Sequence, residues 1–222
     1  MKPERAENNP PFSFIVPMWA AIFGGLSTIS LFWLLRRFLP WLRDTKRAYA
    51  VVEVWVVSHT GLALCTALLA SSGMASTPFA ILLLYGFLRV IEIVVTQTNV
   101  LLFDEWRARR ARKPYSLRSY RRILILLLHN YAEMVCWFVA ALLALNSWTW
   151  LALDDPSLSA TFLATLLSMV AFSIDGVRPL GRVAQVLLIF QSLVGVFMTL
   201  LTLGRFLSLM PAPASQEPTE WT

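Results

Sequence analysis

Apolar residues dominate five long stretches of the chain, at about 12–35, 48–70, 79–103, 123–146 and 183–209. Each reaches the roughly 20 helical residues that cross a hydrocarbon core about 30 Å thick, so the pattern predicts five transmembrane helices. The second stretch carries Glu53 and His59 and is the least uniform of the five. The first is too long for the apolar core of a signal peptide and reads as a retained span. A sixth apolar element, 158–169, follows Asp155-Pro156-Ser157, with Ser157 or Ser159 placed to cap a helix. It is too short to cross. A short helix entering a bilayer ends where irregular backbone survives only if protein or a wet cavity surrounds it, so the loop after it is a natural pore wall.

The polar breaks between these stretches set the orientation. The connection from 36 to 47 holds Arg36, Arg37, Arg43, Lys46 and Arg47, and that from 104 to 122 holds Arg107, Arg109, Arg110, Arg112, Lys113, Arg118, Arg121 and Arg122. Basic connections stay cytoplasmic. Residues 71–78 are uncharged and 147–158 carry only Asp154 and Asp155, which suits the opposite side. The expected architecture is an all-α integral membrane protein of five transmembrane helices plus one re-entrant helix and loop, N-terminus out and C-terminus in. Four parts follow: a three-helix region over 1–103, a basic interfacial linker over 104–120, a pore-like region over 121–209, and a Pro-rich disordered tail over 210–222.

Composition agrees, with 57% hydrophobic and 14% charged residues and a mean hydropathy of +0.63. That is more apolar surface than a soluble domain of this size hides. The pI near 9.8 raises the question of nucleic acid, but the basic residues lie beside spans on one side, where topology and anionic headgroups explain them. The linker residues Arg107, Arg109, Arg110, Arg112 and Lys113, interleaved with Trp106 and Tyr115, suit the inner membrane surface and an anionic lipid partner. A plasma, or cytoplasmic, membrane location follows. Cys65 and Cys136 lie in apolar spans without metal or redox spacing, and no disulfide is expected. No metal or other cofactor is implied. Motifs of the His-Glu-x-x-His, Gly-x-Ser-x-Gly, P-loop or Cys-x-x-Cys kind are absent from the sequence, so enzymatic chemistry has no footing.

One region carries a more specific signal. The short helix leads into Ser-Met-Val-Ala-Phe-Ser-Ile-Asp at 168–175, then Pro179, Gly181-Arg182 and a long apolar helix. This order resembles the pore loop and inner helix of the tetrameric potassium-channel superfamily, over about residues 121–209. The resemblance implies a homotetramer passing monovalent cations, with Ser168, Met169, Val170, Ala171, Phe172, Ser173 and Asp175 as pore loop and Asp175 at the outer mouth. The family filter, Thr-Val-Gly-Tyr-Gly-Asp, keeps its glycines because carbonyls that line an axis need backbone angles only glycine adopts cheaply. Here Ala171 and Ser173 replace both glycines and Met169 replaces the threonine. A less selective cation pathway, a wide pore, and a channel-like scaffold or signalling subunit that does not conduct all remain open. Gln191, Ser192, Gly195 and Thr199 form a small and polar stripe on the last helix, fit to line a cavity or to pack against another helix.

Polar residues inside the spans are costly against lipid and should turn inward: Glu53, His59, Arg89, Glu92, Gln97, Asn99, His129, Asn130 and Glu133. A voltage sensor needs a row of cations on one span, and only Arg89 occurs there, with Glu92 three residues on as a neutralising partner. His129 and Glu133, four apart, share a helix face and could form a two-ligand metal pair, a pH-sensitive gating contact or an ordinary hydrogen-bonded anchor, of which the anchor is the expected one.

Overall fold

The computed structural model describes residues 14–28, 30, 45–74, 77–114, 120–171 and 173–209. The described chain is helical apart from one small ribbon. In order come α1 (Ile15–Ser27), α2 (Thr45–Ser71), α3 (Thr77–Thr98), a π-helical turn (Asn99–Phe103), α4 (Asp104–Arg110), α5 (Tyr120–Ser147), β1 (Leu151–Leu153), α6 (Leu158–Ala171), β2 (Val177–Pro179) and α7 (Arg182–Leu209). Four helices are long and apolar enough to cross a membrane: Ala50–Ser71, Pro78–Arg110, Arg121–Ser147 and Arg182–Leu207. The chain is a membrane protein of helical class.

Within the first apolar stretch, expected as a span over 12–35, the described helix α1 has 13 residues; residues 12–13, 29 and 31–35 of that stretch lie outside the described residues, as do 36–44, 115–119 of the expected linker and the expected tail from 210 onward. α1 runs antiparallel to the second half of the α3–α4 rod. Arg107 Nη2 donates to the Ala20 carbonyl at 2.9 Å, Asn99 Nδ2 to the Phe23 carbonyl at 2.8 Å, and Ser30 Oγ to Glu92 Oε1 at 2.5 Å. The contacts advance along one element while retreating along the other.

Helix ends follow their local chemistry. α2 stops at Gly73, whose φ of +79° permits the paired bonds Gly73 N–H to Ala70 O and Met74 N–H to Leu69 O, a Schellman motif that uses up two terminal carbonyls. Ser157 caps α6, its Oγ accepting from Ala160 N–H at 3.3 Å. Asp155 Oδ1 in turn accepts from Ser157 N–H at 2.9 Å.

α5 is the central helix. Leu127, Met134, Val139, Ala140 and Ala144 along it are fully buried, and one apolar cluster joins Ala63 and Ala67 of α2, Phe79, Val90 and Ile93 of α3, Met169 of α6, and Val194 and Met198 of α7. The core therefore runs across the boundary that the sequence placed at the basic linker. Gly86 admits Trp137 to this core: a Cβ there would lie 2.2 Å from the indole. At the far end from Arg122, a second cluster of Leu142, Leu145, Leu151, Val177, Ala184 and Leu188 holds the antiparallel ribbon, with Leu151 opposite Pro179 and Leu153 opposite Val177.

Candidate functional site

α6 lies beside α7 and runs in the same direction. Gln191 Nε2 donates to the Thr165 carbonyl at 3.5 Å, Ser168 and Ser192 hydroxyls meet at 3.5 Å, and Val170 lines a groove with Thr199, Thr202 and Phe206. Gly195 makes the approach possible, since a Cβ there would fall 2.5 Å from the Met169 Cα and carbonyl oxygen. Both ends of this excursion are tied to the ribbon: Asp154 N–H donates to the Gly176 carbonyl at 3.0 Å. The 14-residue α6 is about 20 Å long. Six residue steps lead from Ala171 to Val177, and they end in a turn in which Val177 N–H donates to the Ile174 carbonyl at 3.1 Å, with Gly176 at a φ of +74°.

Within this unit the pore-loop residues separate into two groups. Ser168, Met169, Val170 and Ala171 belong to α6, a correction to the expectation that Val170 and Ala171 begin an extended filter; Leu, Met, Val and Ala are compatible with helix, and neither glycine is there to break it. Ser168 and Met169 are buried, whereas Val170 and Ala171 are exposed on the tip. Phe172 lies outside the described residues. Ser173 donates to Asp175 Oδ2 at 2.8 Å, and Asp175 is exposed in the turn before β2. Gln191 is fully buried, with its Oε1 and the Thr165 hydroxyl lacking partners among the described residues. Ser192, Gly195 and Thr199 line the same α6–α7 seam, and Thr199 lies 3.3 Å from the Tyr131 hydroxyl. Gln191, Ser192 and Gly195 thus pack against α6 within the protomer, while Thr199 also borders the groove.

The polar residues of α3 and α5 form a buried ion cluster. Arg89 Nε donates to Glu133 Oε1 at 2.8 Å, its Nη2 to Glu133 Oε2 at 3.3 Å, and its Nη1 to Glu92 Oε2 at 2.8 Å. Trp137 Nε1 reaches Glu133 at 3.4 Å, and the guanidinium lies 5.7 Å from the Trp55 ring centroid. The expected His129–Glu133 contact is therefore not made. Glu133 turns to Arg89 on another helix, while His129 Nδ1 donates to the Ile125 carbonyl of its own helix at 2.9 Å. His59 takes the role of buried histidine, with Nδ1 at 2.7 Å from the Trp55 carbonyl and Nε2 at 2.5 Å from the Tyr85 hydroxyl. Since a carbonyl only accepts, Nδ1 carries a proton.

The basic linker residues also divide. Arg109 pairs with Glu105 at 2.6 Å on an exposed face, Arg110 lies 5.4 Å from the Trp106 ring centroid, and Arg112 and Lys113 are exposed. Arg107 instead turns inward. Besides Ala20 it bonds Asn99 Oδ1 at 2.5 Å and Asp104 at 3.2 Å, correcting its expected place at the lipid surface. Asn99 begins the π-helical turn, and its amide bridges Arg107 and α1. Neither the π turn nor this bridge has a sequence signature; Asn99 inside an apolar run was the one visible sign.

A cavity of about 290 Å³ opens between α2, α3 and α5, with Trp55, Arg89, Glu92, Gln97, Arg122 and Asn130 among its lining side chains. Arg122 pairs with Glu53 at 2.6 Å, and both are partly exposed. Comparison of the chain with protein-family models, with curated proteins and with solved structures finds no match.

Proposed function

We propose that this membrane protein is a channel-like pore former that lets monovalent cations pass passively, with weak or altered potassium selectivity, as a homotetramer in the cytoplasmic membrane. One observation carries the reading: a short helix descends beside α7 in the same direction, and the chain returns in six residues to the ribbon from which it left. The last four carbonyls of such a helix lack intrahelical partners and present partial negative charge at its tip, which favours a cation there. Four copies supply the enclosing wall that one loop cannot. Exposed Asp175 belongs at the outer mouth.

In this arrangement four helices cross, and the basic ends of α2, α5 and α4 face the cytoplasm. The antiparallel docking of α1 on Arg107, Asn99 and Glu92 supports a first element whose Ala20 end lies nearer the cytoplasmic face than its Ser30 end. A second reading, a channel-like scaffold without conduction, is favoured by the helical backbone of Ser168–Ala171 and by Met169 locked against Gly195.

Flux from liposomes loaded with KCl or NaCl separates the two. Both cations should leave faster than from protein-free liposomes, and Gly195→Val should abolish the difference by displacing α6. Tetrameric protein that gives no flux above background speaks for the scaffold.

A further inference from the structure

Two carboxamides line the α2–α3–α5 cavity without a hydrogen-bond partner among the described residues. Asn130 on α5 is 6% exposed and Gln97 on α3 is 8% exposed; both line the cavity, and the Asn130 Oδ1 has no partner among the described residues. No hydrogen bond from Gln97 to any described residue exists either. An unsatisfied buried amide oxygen costs about 1–3 kcal/mol, so Asn130, with Gln97 on another helix lining the same space, points to an occupant that hydrogen-bonds. Aliphatic side chains alone would have served an acyl chain better. The volume of about 290 Å³ holds several waters, each occupying about 30 Å³. Along α3 and α5 the cavity runs from the partly exposed Arg122, which pairs with Glu53, to the buried Arg89 and Glu92.

We infer that this cavity is a hydrated inlet, open at the Glu53–Arg122 end, which takes water and small hydrogen-bonding solutes and carries solvent to the Arg89–Glu92–Glu133 cluster. Water at the carboxamides satisfies them, and its polarisability lowers the cost of holding three ionised groups within the apolar core. The inlet is separate from the α6–α7 unit and does not depend on conduction; its cytoplasmic facing rests on the orientation proposed above.

Thiol accessibility tests it. In protein with Cys65 and Cys136 replaced by Ala, Asn130→Cys and Thr96→Cys place a thiol on the inlet, and Leu128→Cys places one at nearly the depth of Asn130 on a face that is 60% exposed outside the inlet. A membrane-impermeant methanethiosulfonate reacts with the thiolate, which forms only where water reaches the sulfur. Applied to the cytoplasmic face of oriented proteoliposomes, it should modify the first two at least about tenfold faster than Leu128→Cys. Equal slow rates at all three positions, or labelling of Asn130→Cys and Thr96→Cys only by a membrane-permeant maleimide, overturn the hydrated inlet. Fast reaction from the opposite face alone overturns the orientation instead. Thr96 is exposed and surface substitutions cost little, so the test stands even if Asn130→Cys fails to fold.

Discussion

Replacing Arg89 by methionine removes the guanidinium that holds two carboxylates on two helices. Its bonds at 2.8 and 3.3 Å to Glu133 and 2.8 Å to Glu92 are lost, and Glu133, at 0% exposure, keeps only the 3.4 Å contact to Trp137. Removing one partner of a buried ion pair costs about 3–5 kcal/mol, because the remaining charge is neither solvated nor compensated. Glu133→Gln is the informative contrast. It leaves Arg89 paired with Glu92 and keeps one oxygen for Nε, so its cost is about that of a single charge-assisted hydrogen bond, about 1.5–3 kcal/mol. For a chain of this size each kcal/mol lowers Tm by about 2–4 °C, giving about 6–20 °C for Arg89→Met and a smaller shift for Glu133→Gln. Thermal unfolding in a mild detergent, followed by tryptophan emission, reads both. If Arg89→Met melts within about 2 °C of the parent, or Glu133→Gln is the more damaging, the cluster is not the interhelical clamp described here.

Three further outcomes follow from close contacts. Gly86→Ala brings a methyl to 2.2 Å from Trp137 and should cost about 1–3 kcal/mol by overpacking; Trp137→Phe in the same chain should recover part of the loss, and no recovery would place the fault elsewhere. Gly195→Ala meets backbone rather than side chain, at 2.5 Å from Met169, so it should loosen α6, seen as faster hydrogen exchange over 158–171 with little change in α5. Asn99→Ala removes the bridge between Arg107 and the Phe23 carbonyl and should raise exchange over 15–27; unchanged protection there would mean that apolar packing alone holds α1.

The long crossings were legible because hydrophobic runs of 20 or more residues have one structural outcome in a bilayer. The short helix was legible for a similar reason: Pro156 and Ser157 mark its start, and its length forbids a crossing. What escaped is what depends on partners distant in sequence. His129 and Glu133 share a face at i, i+4, yet an arginine 44 residues from Glu133 offers a bidentate match that a neutral imidazole cannot. Hydropathy over 12–35 likewise said nothing of how α1 docks: Arg107, Asn99 and Glu92 hold Ala20, Phe23 and Ser30 in antiparallel register. Val170 and Ala171 aligned with a filter by order in the chain, but without glycine nothing stops α6 from continuing through them. On α7 the spacing of the polar stripe did not show that Gly195 meets the Met169 backbone.

Single-channel recording from purified tetramers in planar bilayers, with asymmetric KCl and Asp175→Asn beside the parent, bears most directly on whether the α6 loop is a pore. The account predicts discrete currents that reverse towards the cation equilibrium potential, with Asp175→Asn lowering conductance more at low salt than at high salt, because screening weakens the attraction of a mouth carboxylate. Silence from protein shown to be tetrameric, or currents indifferent to Asp175→Asn at every salt concentration, would contradict it.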